Sequence, residues 1–293
     1  MAAMFGCQSM VGPLRRVIVK RPEEAFQNAQ TISDQWRGLN YLRPPNFQKA
    51  CEEHARMTSL LRSLGAEVLE LPIDAGTGLD SIYTHDPVLI TDRGAILFQM
   101  GKTARRGEAP AFATAFKRWE IPILGTIDGA ATAEAGDMIW LDRKTLLVGR
   151  GFRTNAAGLD AMISLLKPDG IQIIPVPLPY FNGPGDVLHL MSFMSLLDDD
   201  LALVYRRLLP VPLFELLIAR NIRLIDVPDE EFDSQGCNVL ATAPRVVLML
   251  RGNPITRSRL VEAGCSVTEF DGSEIAIPGC GGPTCLTRPL LRG

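Results

Sequence analysis

Short apolar runs on both sides of a polar turn recur along this chain in a fixed order. In the clearest copy, the strand-like residues 87–91 are followed by the turn Asp92-Arg-Gly and by a second apolar run at 95–98. Runs rich in β-forming residues on both sides of a tight polar turn are typical of a β-hairpin. The same pattern returns at residues 138–148, 191–204 and 238–250. The pattern therefore predicts four hairpins.

Each predicted hairpin is followed by an amphipathic stretch with helical periodicity and then by a further strand-like run. The amphipathic stretches are residues 108–119, 154–167, 206–220 and 254–263. The later strand-like runs are residues 121–124, 171–176, 222–227 and 266–270. An earlier copy with a single opening strand consists of strand-like residues 14–20, a helix at 47–64 and strand-like residues 67–71.

Five units of roughly fifty residues in one element order indicate an α/β propeller or a similar repeat array. An ordinary α/β sandwich whose units merely look alike is the alternative. No Gly/Ser-rich linker or low-complexity stretch separates the units. We therefore expect residues 1–293 to form a single domain.

Composition narrows the class of protein and its partners. Hydrophobic residues make up 46% and charged residues 22% of the sequence, a balance typical of a soluble globular protein. The formal net charge of −3 argues against nucleic acid or an anionic membrane as the main partner. Because the sequence has no secretory signal pattern and no apolar run of membrane-spanning length, we expect a cytoplasmic protein with reduced thiols. The oligomeric state stays open, a homo-oligomer included.

Side chains able to do chemistry stand at the start of nearly every hairpin. These side chains are Asp86, Glu134, Asp137, His189 and Asn238. Cys285, in the segment 281–285 near the C-terminus, occupies the equivalent position in the last unit. Equivalent positions of a pseudo-symmetric array converge at one end of it, so we expect these side chains to form one cluster. A thiol, an imidazole and a carboxylate are the minimum set for thiol nucleophilic catalysis. The cluster therefore predicts an active site.

Cys285 is the expected nucleophile of this site, because two glycines and a proline at 281–283 indicate a tight, exposed approach of the backbone. A buried spectator thiol is the alternative. Only three histidines occur, and His189 is the expected acid–base partner, although its leucine neighbours also fit a structural role. His85 is the second choice as base. His54 is expected to be a solvated side chain on the polar face of a helix.

Carboxylates in the predicted cluster favour a cationic substrate. A guanidinium is planar and permanently charged, and Asp86 and Glu134 could each accept two of its N–H groups. The alternative is that these carboxylates cap turns or pair with nearby arginines. Arg153 and Arg105 are candidates for holding a substrate carboxylate, although lone arginines are usually surface residues.

At five segments the sequence resembles the guanidino-group-modifying (pentein) superfamily of arginine deiminases, dimethylarginine dimethylaminohydrolases and amidinotransferases. The segments are Tyr83-Thr-His-Asp-Pro, Glu134-Ala-Gly-Asp, Arg153-Thr-Asn, His189-Leu-Met-Ser and Gly281-Gly-Pro-Thr-Cys. The resemblance runs from Leu14 to Arg292. It implies an α/β fold, a five-bladed propeller of ββαβ units, which agrees with the repeat.

The resemblance also implies a role for each residue. Cys285 would attack the guanidinium carbon, Asp86 would hold guanidinium nitrogens, and Glu134 would orient His189. Arg153 would bind the α-carboxylate of the substrate. His189 would protonate the departing amine and then activate water, which leaves citrulline from arginine or a methylarginine. No metal and no other cofactor is implied.

The segment that follows His189 favours the dimethylarginine dimethylaminohydrolases within the superfamily. Ser192 lies three positions after the histidine, as in those enzymes, and Met191 stands where arginine deiminases usually have an acid. An apolar residue at that position leaves room for N-methyl groups. Residues 281–285 instead read closer to the arginine deiminases, so an arginine deiminase or a related arginine hydrolase is the alternative.

Three further functions stay open. An amidinotransferase would form the same thiouronium intermediate, and a propeller of this kind could also be a non-catalytic binding protein. A metal site could use Cys237, Cys280, Cys285 and His189, although the cysteine spacing is not that of a zinc motif.

Residues 35–45 form a long connection that does not read as regular structure, and long ordered loops beside a site often act as lids. We expect Leu39, Asn40 or Tyr41 to approach the bound substrate; a plain surface loop is the alternative. Ser192 and Asn238 are further expected contacts of a small-molecule guanidino substrate.

Overall fold

Five three-stranded sheets contain the β-strands of the described residues, 4–293, in the computed structural model. The strands are β1 (Leu14–Val19), β2 (Glu67–Glu70), β3 (Val88–Thr91), β4 (Gly94–Phe98), β5 (Ile123–Ile127), β6 (Met138–Asp142), β7 (Thr145–Arg150), β8 (Gln172–Pro177), β9 (Met194–Asp198), β10 (Leu201–Val204), β11 (Arg223–Asp226), β12 (Leu240–Ala243), β13 (Val246–Leu250), β14 (Ser266–Phe270) and β15 (Arg288–Arg292). The sheet orders are β15-β1-β2, β3-β4-β5, β6-β7-β8, β9-β10-β11 and β12-β13-β14. Every middle strand pairs antiparallel with the first strand and parallel with the third. The predicted five-bladed α/β propeller is confirmed.

The two strands of each parallel pair are joined by a crossover connection that contains a helix of 9 to 17 residues. Parallel neighbours need such a long connection. The helices are α1 (Pro22–Ala25), α2 (Ala29–Gln35), α3 (Phe47–Ser63), α4 (Glu108–Arg118), α5 (Ala156–Leu166), α6 (Val211–Ala219) and α7 (Pro254–Glu262), of which α3 to α7 are the crossovers. Asn46 and Asn155 fix the starts of α3 and α5, since their side chains accept hydrogen bonds from the backbone N–H groups of Lys49 and Gly158. Within residues 4–293, no helix has both the length and the apolar character that crossing a bilayer requires.

Burial shows which strand of each sheet faces the centre of the propeller. The strands that open the hairpins are almost entirely buried; all four residues of β3 are, for example. The strands that follow the crossover helices are much less buried: β2 has no fully buried residue, and β5 has one. The opening strands therefore surround the centre, and the loops that lead into them meet at one end of the axis.

The first blade is closed by a strand from the far end of the described chain. β15 pairs antiparallel with β1, and Leu14 lies opposite Arg292 while Val17 lies opposite Pro289. Before the helix of this unit, the sequence pattern predicted a single strand, residues 14–20, which is the middle strand β1 of the blade. It missed β15 because no turn joins the two strands locally, so the hairpin signal is absent.

His54 is buried, and the prediction that it is solvated was wrong. It lies on the stripe of helix α3 that also carries Ala50, Met57 and Leu61, all fully buried. Burial lowers the pKa of the His54 imidazole to about 4, and nearby arginine charges act in the same direction. The connection before α3 also contains two short helices, α1 and α2, which the sequence pattern did not predict.

Candidate active site

A cavity of about 430 Å³ lies where the loops before the opening strands meet. Asp86, His189, Asn238 and Cys285 line this cavity, and each comes from the loop before a different opening strand. Glu134, from the loop before β6, is fully buried and lies directly behind His189. The structure therefore brings together five of the six side chains that the repeat placed at equivalent positions, and the sixth, Asp137, contacts the backbone next to His189.

His189 lies between two carboxylates. Its Nε2 is 2.7 Å from Glu134 Oε2, and its Nδ1 is 3.9 Å from Asp86 Oδ1. Burial opposes a charge on the ring, but the negative charges of Asp86 and Glu134 outweigh it and raise the pKa of His189 to about 9. At neutral pH the ring is therefore an imidazolium, which can act as an acid.

The backbone around His189 is also held by side chains. The backbone N–H of His189 donates to Ser192 Oγ at 2.9 Å, and that of Leu190 donates to Asp137 Oδ1 at 3.1 Å. Ser192 was predicted as a substrate contact; in the structure its hydroxyl lines the cavity and fixes the turn that carries the histidine. Burial raises the pKa of Asp137 to about 7.

Gly136 separates Glu134 from Asp137 and lies against both Asp86 and His189. Its N–H donates to Asp86 Oδ1 at 3.2 Å. A Cβ at this position would lie 2.4 Å from His189 Nδ1 and 2.9 Å from Asp86 Oδ1, so only glycine allows the three groups to approach. The sequence contained this glycine in the segment Glu134-Ala-Gly-Asp, but nothing in the pattern indicated its steric role.

Arg105 fixes Asp86 from the other side. Its Nη1 donates to Asp86 Oδ2 at 2.6 Å, its Nε and Nη2 donate to both oxygens of Glu108, and Nη2 also donates to the carbonyl of Tyr83. Burial opposes ionisation of Asp86, yet His189 and Arg105 outweigh it and hold the pKa of Asp86 well below its usual range. Asp86 is therefore an anion. Its Oδ1 lies next to the N–H of Gly136 and the Nδ1 of His189.

This geometry bears on the expected role of Arg105. The guanidinium is buried and its donors are directed to protein acceptors, so we now propose that it positions Asp86 rather than binding a substrate carboxylate. Glu108 was missed in the sequence, although its spacing of three residues from Arg105 is the spacing of an ion pair on one turn of a helix.

Cys285 lies beside Asn238, which touches its sulfur. Asn238 Nδ2 donates to Cys285 Sγ at 3.1 Å, and Asn238 Oδ1 accepts from the backbone N–H of Thr284 at 3.0 Å. A Cβ on Gly282 would lie 2.6 Å from Asn238, so the glycines before the cysteine allow a close approach. Burial, and then the charge of Asp86, raise the pKa of the Cys285 thiol to about 12. Cys285 is therefore a neutral thiol at neutral pH.

Arg153 and Asn40 lie at the wall of the cavity. Arg153 Nη1 is 3.2 Å from Glu134 Oε2, and its Nη2 donates to the carbonyl of Asp186 at 3.4 Å. Asn40 has a left-handed backbone (φ 64°), and its Nδ2 donates to the carbonyl of Gly185 at 3.1 Å. Leu39 and Asn40 line the cavity, whereas Tyr41 is buried. The predicted loop thus contacts a second segment, 178–188, beside the cavity.

Three side chains of the site are close enough together to bind a metal ion. Within residues 4–293 they are Asp86, Glu134 and His189, whose possible ligand atoms lie within 4.8 Å of one another. Arg105 and Arg153 already contact the two carboxylates, and their positive charges oppose a cation. The alternative cysteine site is not formed, because Cys237 is buried and does not line the cavity.

The three histidines are expected to have widely different pKa values, because each has a different environment. Burial and the charge of Arg288 lower the pKa of His85 to about 3, and its Nδ1 lies 3.0 Å from the carbonyl of Thr287. With His54 near 4 and His189 near 9, only His189 should change protonation between pH 6 and 10. Histidine-selective NMR titration of the free protein measures this directly. A ring that titrates between pH 6 and 7 would contradict the ion-pair geometry of His189.

Known proteins are similar to this chain over most of its length. Residues 21–292 match the family described as "N,N dimethylarginine dimethylhydrolase, eukaryotic". The chain is 29% identical to N(G),N(G)-dimethylarginine dimethylaminohydrolase of Pseudomonas aeruginosa over 93% of this chain and 98% of that protein. It is also 29% identical to the protein of the same name from Streptomyces coelicolor, over 94% and 96% of the two chains.

A solved structure has the same fold. It is that of a dimethylarginine dimethylaminohydrolase mutant of Pseudomonas aeruginosa complexed with citrulline, with a TM-score of 0.76 and 26% identity. The similarity covers 94% of this chain and 99% of that one. Because the family match spans nearly the whole chain, the chain belongs to the N,N-dimethylarginine dimethylhydrolase family and is a hydrolase of guanidino C–N bonds.

Proposed function

We propose that this chain hydrolyses N-methylated arginine to citrulline and a methylated amine, with Cys285 as nucleophile. The observation that carries the proposal is one cavity lined by a thiol, an imidazolium and the anionic Asp86, next to the apolar Met191. The names of the curated relatives support the same substrate class.

Substrate binding would prepare the nucleophile. Asp86 Oδ2 is occupied by Arg105, so Oδ1 is the oxygen that can accept a guanidinium N–H. A cation bound there offsets the negative charge that helps to raise the pKa of the Cys285 thiol. The thiol then loses its proton to solvent more readily, and the N–H of Asn238 stabilises the thiolate.

The reaction would proceed in two stages. The Cys285 thiolate attacks the guanidinium carbon, and the C–N bond to the methylated amine breaks as His189 donates its proton to that nitrogen. The covalent thiouronium is then attacked by water, which gives a proton to the now neutral His189. The C–S bond then breaks, the hydroxyl proton of the tetrahedral intermediate passes to the sulfur, and citrulline and the neutral Cys285 thiol are released. Glu134, 2.7 Å from Nε2, keeps the ring oriented through both stages.

Met191 is the residue that we expect to select methylated substrates. It lies two positions after His189, is almost fully buried and lines the cavity. A thioether adapts to methyl groups and offers only a weak acceptor, whereas unsubstituted guanidinium nitrogens need strong acceptors when they are buried. Methylated nitrogens therefore lose less on entering this cavity than free NH₂ groups do.

Amine release from arginine, monomethylarginine and asymmetric dimethylarginine tests the proposal. We expect dimethylamine from dimethylarginine to form with the highest kcat/KM. Met191→Asp should lower kcat/KM for dimethylarginine about 10- to 100-fold and lower it much less for arginine, since hydrogen-bond mismatches cost 1–3 kcal/mol. Met191→Leu is the matched control and should keep the preference. Ammonia from arginine as the sole product would make the chain an arginine hydrolase instead.

Two other activities can be separated by the same protein preparations. An amidinotransferase would transfer the amidino group to an added amine such as glycine, whereas we expect added amines to leave citrulline formation unchanged. A non-catalytic binding protein would not be alkylated at Cys285 by a haloacetamidine. We expect such labelling, together with protection by arginine analogues.

A further inference from the structure

A second, much smaller cavity of about 20 Å³ lies on the axis of the propeller. It shares His85, Met191 and Thr284 with the active-site cavity, so it lies directly beneath the floor of that site. Its volume is enough for one or two particles of the size of water. Arg288 and Arg292, both from strand β15, line this cavity and are buried.

Neither arginine has an acidic partner among residues 4–293. Arg288 donates from Nη1 to the carbonyls of His85 and Val88, and the Cys7 sulfur lies beside both guanidinium groups. Arg292 donates from Nη1 to the carbonyl of Gly12 and from Nη2 to that of Ala241. The nearby carboxylate of Asp86 is held by Arg105 on the other side. Two guanidinium charges therefore lie close to the axis without a carboxylate to balance them.

The cavity wall also contains unused hydrogen-bond donors. In the described part of the chain, the Nε atoms of Arg288 and Arg292 and the indole Nε1 of Trp140 are buried without a partner. All three residues line the same cavity. A buried donor without an acceptor costs about 1–3 kcal/mol, and an unpaired buried charge costs more. Because three residues with a donor of this kind line one small space, we infer that an acceptor with a negative charge fits it.

Other polar side chains of the wall already have partners. The Cys7 thiol donates to the carbonyl of Ser9 at 3.8 Å. Ser195 Oγ is engaged with the carbonyl of Cys237, and Thr284 Oγ1 with that of Val239. The remaining wall is mainly aliphatic, with side chains such as Leu89, Ile139 and Leu196. Water could satisfy one N–H but would not offset two positive charges. Burial lowers the pKa of Arg288 to about 10, so it stays charged at neutral pH.

We propose that Arg288, Arg292 and Trp140 form a binding site for one small monovalent anion of the halide class on the propeller axis, beneath the active site. Chloride is only slightly larger than water, which matches the size of the space. The anion stabilises the closing strand β15, because both arginines belong to it. This site is independent of the identity of the guanidino substrate.

Thermal unfolding at constant ionic strength tests the stabilising effect. The protein is dialysed into sodium gluconate, whose anion is too large for the cavity, and chloride is then added in its place. We expect a saturable rise in Tm of about 2–4 °C, since a ligand that binds only the folded state stabilises it by mass action. Arg292→Gln should remove this chloride dependence. An unchanged Tm of the original protein in chloride would overturn the proposal.

Crystals of the unmodified protein grown in bromide give a second readout, which holds even if Arg292→Gln does not fold. We expect an anomalous peak between Arg288 and Arg292, and an axial cavity that holds only water would overturn the proposal. The Cys7 sulfur lies beside both guanidinium groups and is the alternative acceptor. If Cys7→Ala gains a chloride response that the unmodified protein lacks, the sulfur already fills the role of the anion and the proposal is wrong.

Discussion

Cys285→Ser is expected to lower kcat/KM by at least about 10³-fold while the protein stays folded. A hydroxyl is a far weaker nucleophile than a thiolate, and Asn238 can donate to the serine oxygen as it does to the sulfur, so the loop should keep its geometry. The measurement is citrulline formation under single-turnover and steady-state conditions, with circular dichroism and Tm as checks of folding.

Cys280→Ser is the matched control for this variant. Cys280 lines the same cavity five residues earlier, and the substitution is equally small. We expect it to retain most of the activity, because no described contact links its sulfur to His189 or Asp86. Retained turnover in Cys285→Ser, or its loss in Cys280→Ser instead, would contradict the assignment of the nucleophile.

Gly136→Ala is expected to lower kcat by about 10²- to 10³-fold, since small displacements of reacting groups carry costs of this order. The added Cβ would come within 2.4 Å of His189 Nδ1, and the ring cannot move away without losing its contact with Glu134. The pKa of His189 should also fall from about 9 as the ring moves from the two carboxylates. Histidine NMR and the pH dependence of kcat would report this shift.

Gly185→Ala serves as the control for the glycine variant. Gly185 also lines the cavity, but a Cβ there meets no atom within 4 Å. We expect nearly unchanged kcat and an unchanged pKa of His189. If Gly136→Ala lowers kcat without any change in that pKa, the steric explanation is wrong and the glycine acts in another way.

The repeat predicted where the side chains of the site would be found, because the period of the units sets which loop each residue occupies. Asp86, His189, Asn238 and Cys285 each precede an opening strand, and closing the propeller makes these loops neighbours. The sequence period therefore shows which residues lie in neighbouring loops, even when no contact is known. The helices α4 to α7 and their strands followed from local periodicity in the same way.

Which arginine pairs with which carboxylate could not be predicted from the residues, because tertiary packing decides it. From the sequence, Arg105 was a candidate for binding a substrate carboxylate. In the fold its guanidinium forms ion pairs with Asp86 and Glu108. His54 has charged neighbours in sequence, but its position on the helix turns it toward the core. The error at His54 comes from judging a residue by its neighbours along the chain rather than by the face of the helix that it occupies.

The pairing of β15 with β1 has a consequence for the synthesis of the protein. Cys285 lies only three residues before β15, and the strand that it leads into belongs to the blade begun by residues 14–19. A nascent chain that has not yet emerged past residue 292 therefore has neither a closed ring nor a fixed thiol. The ribosome must complete nearly the whole described sequence before the chain can react with a guanidinium.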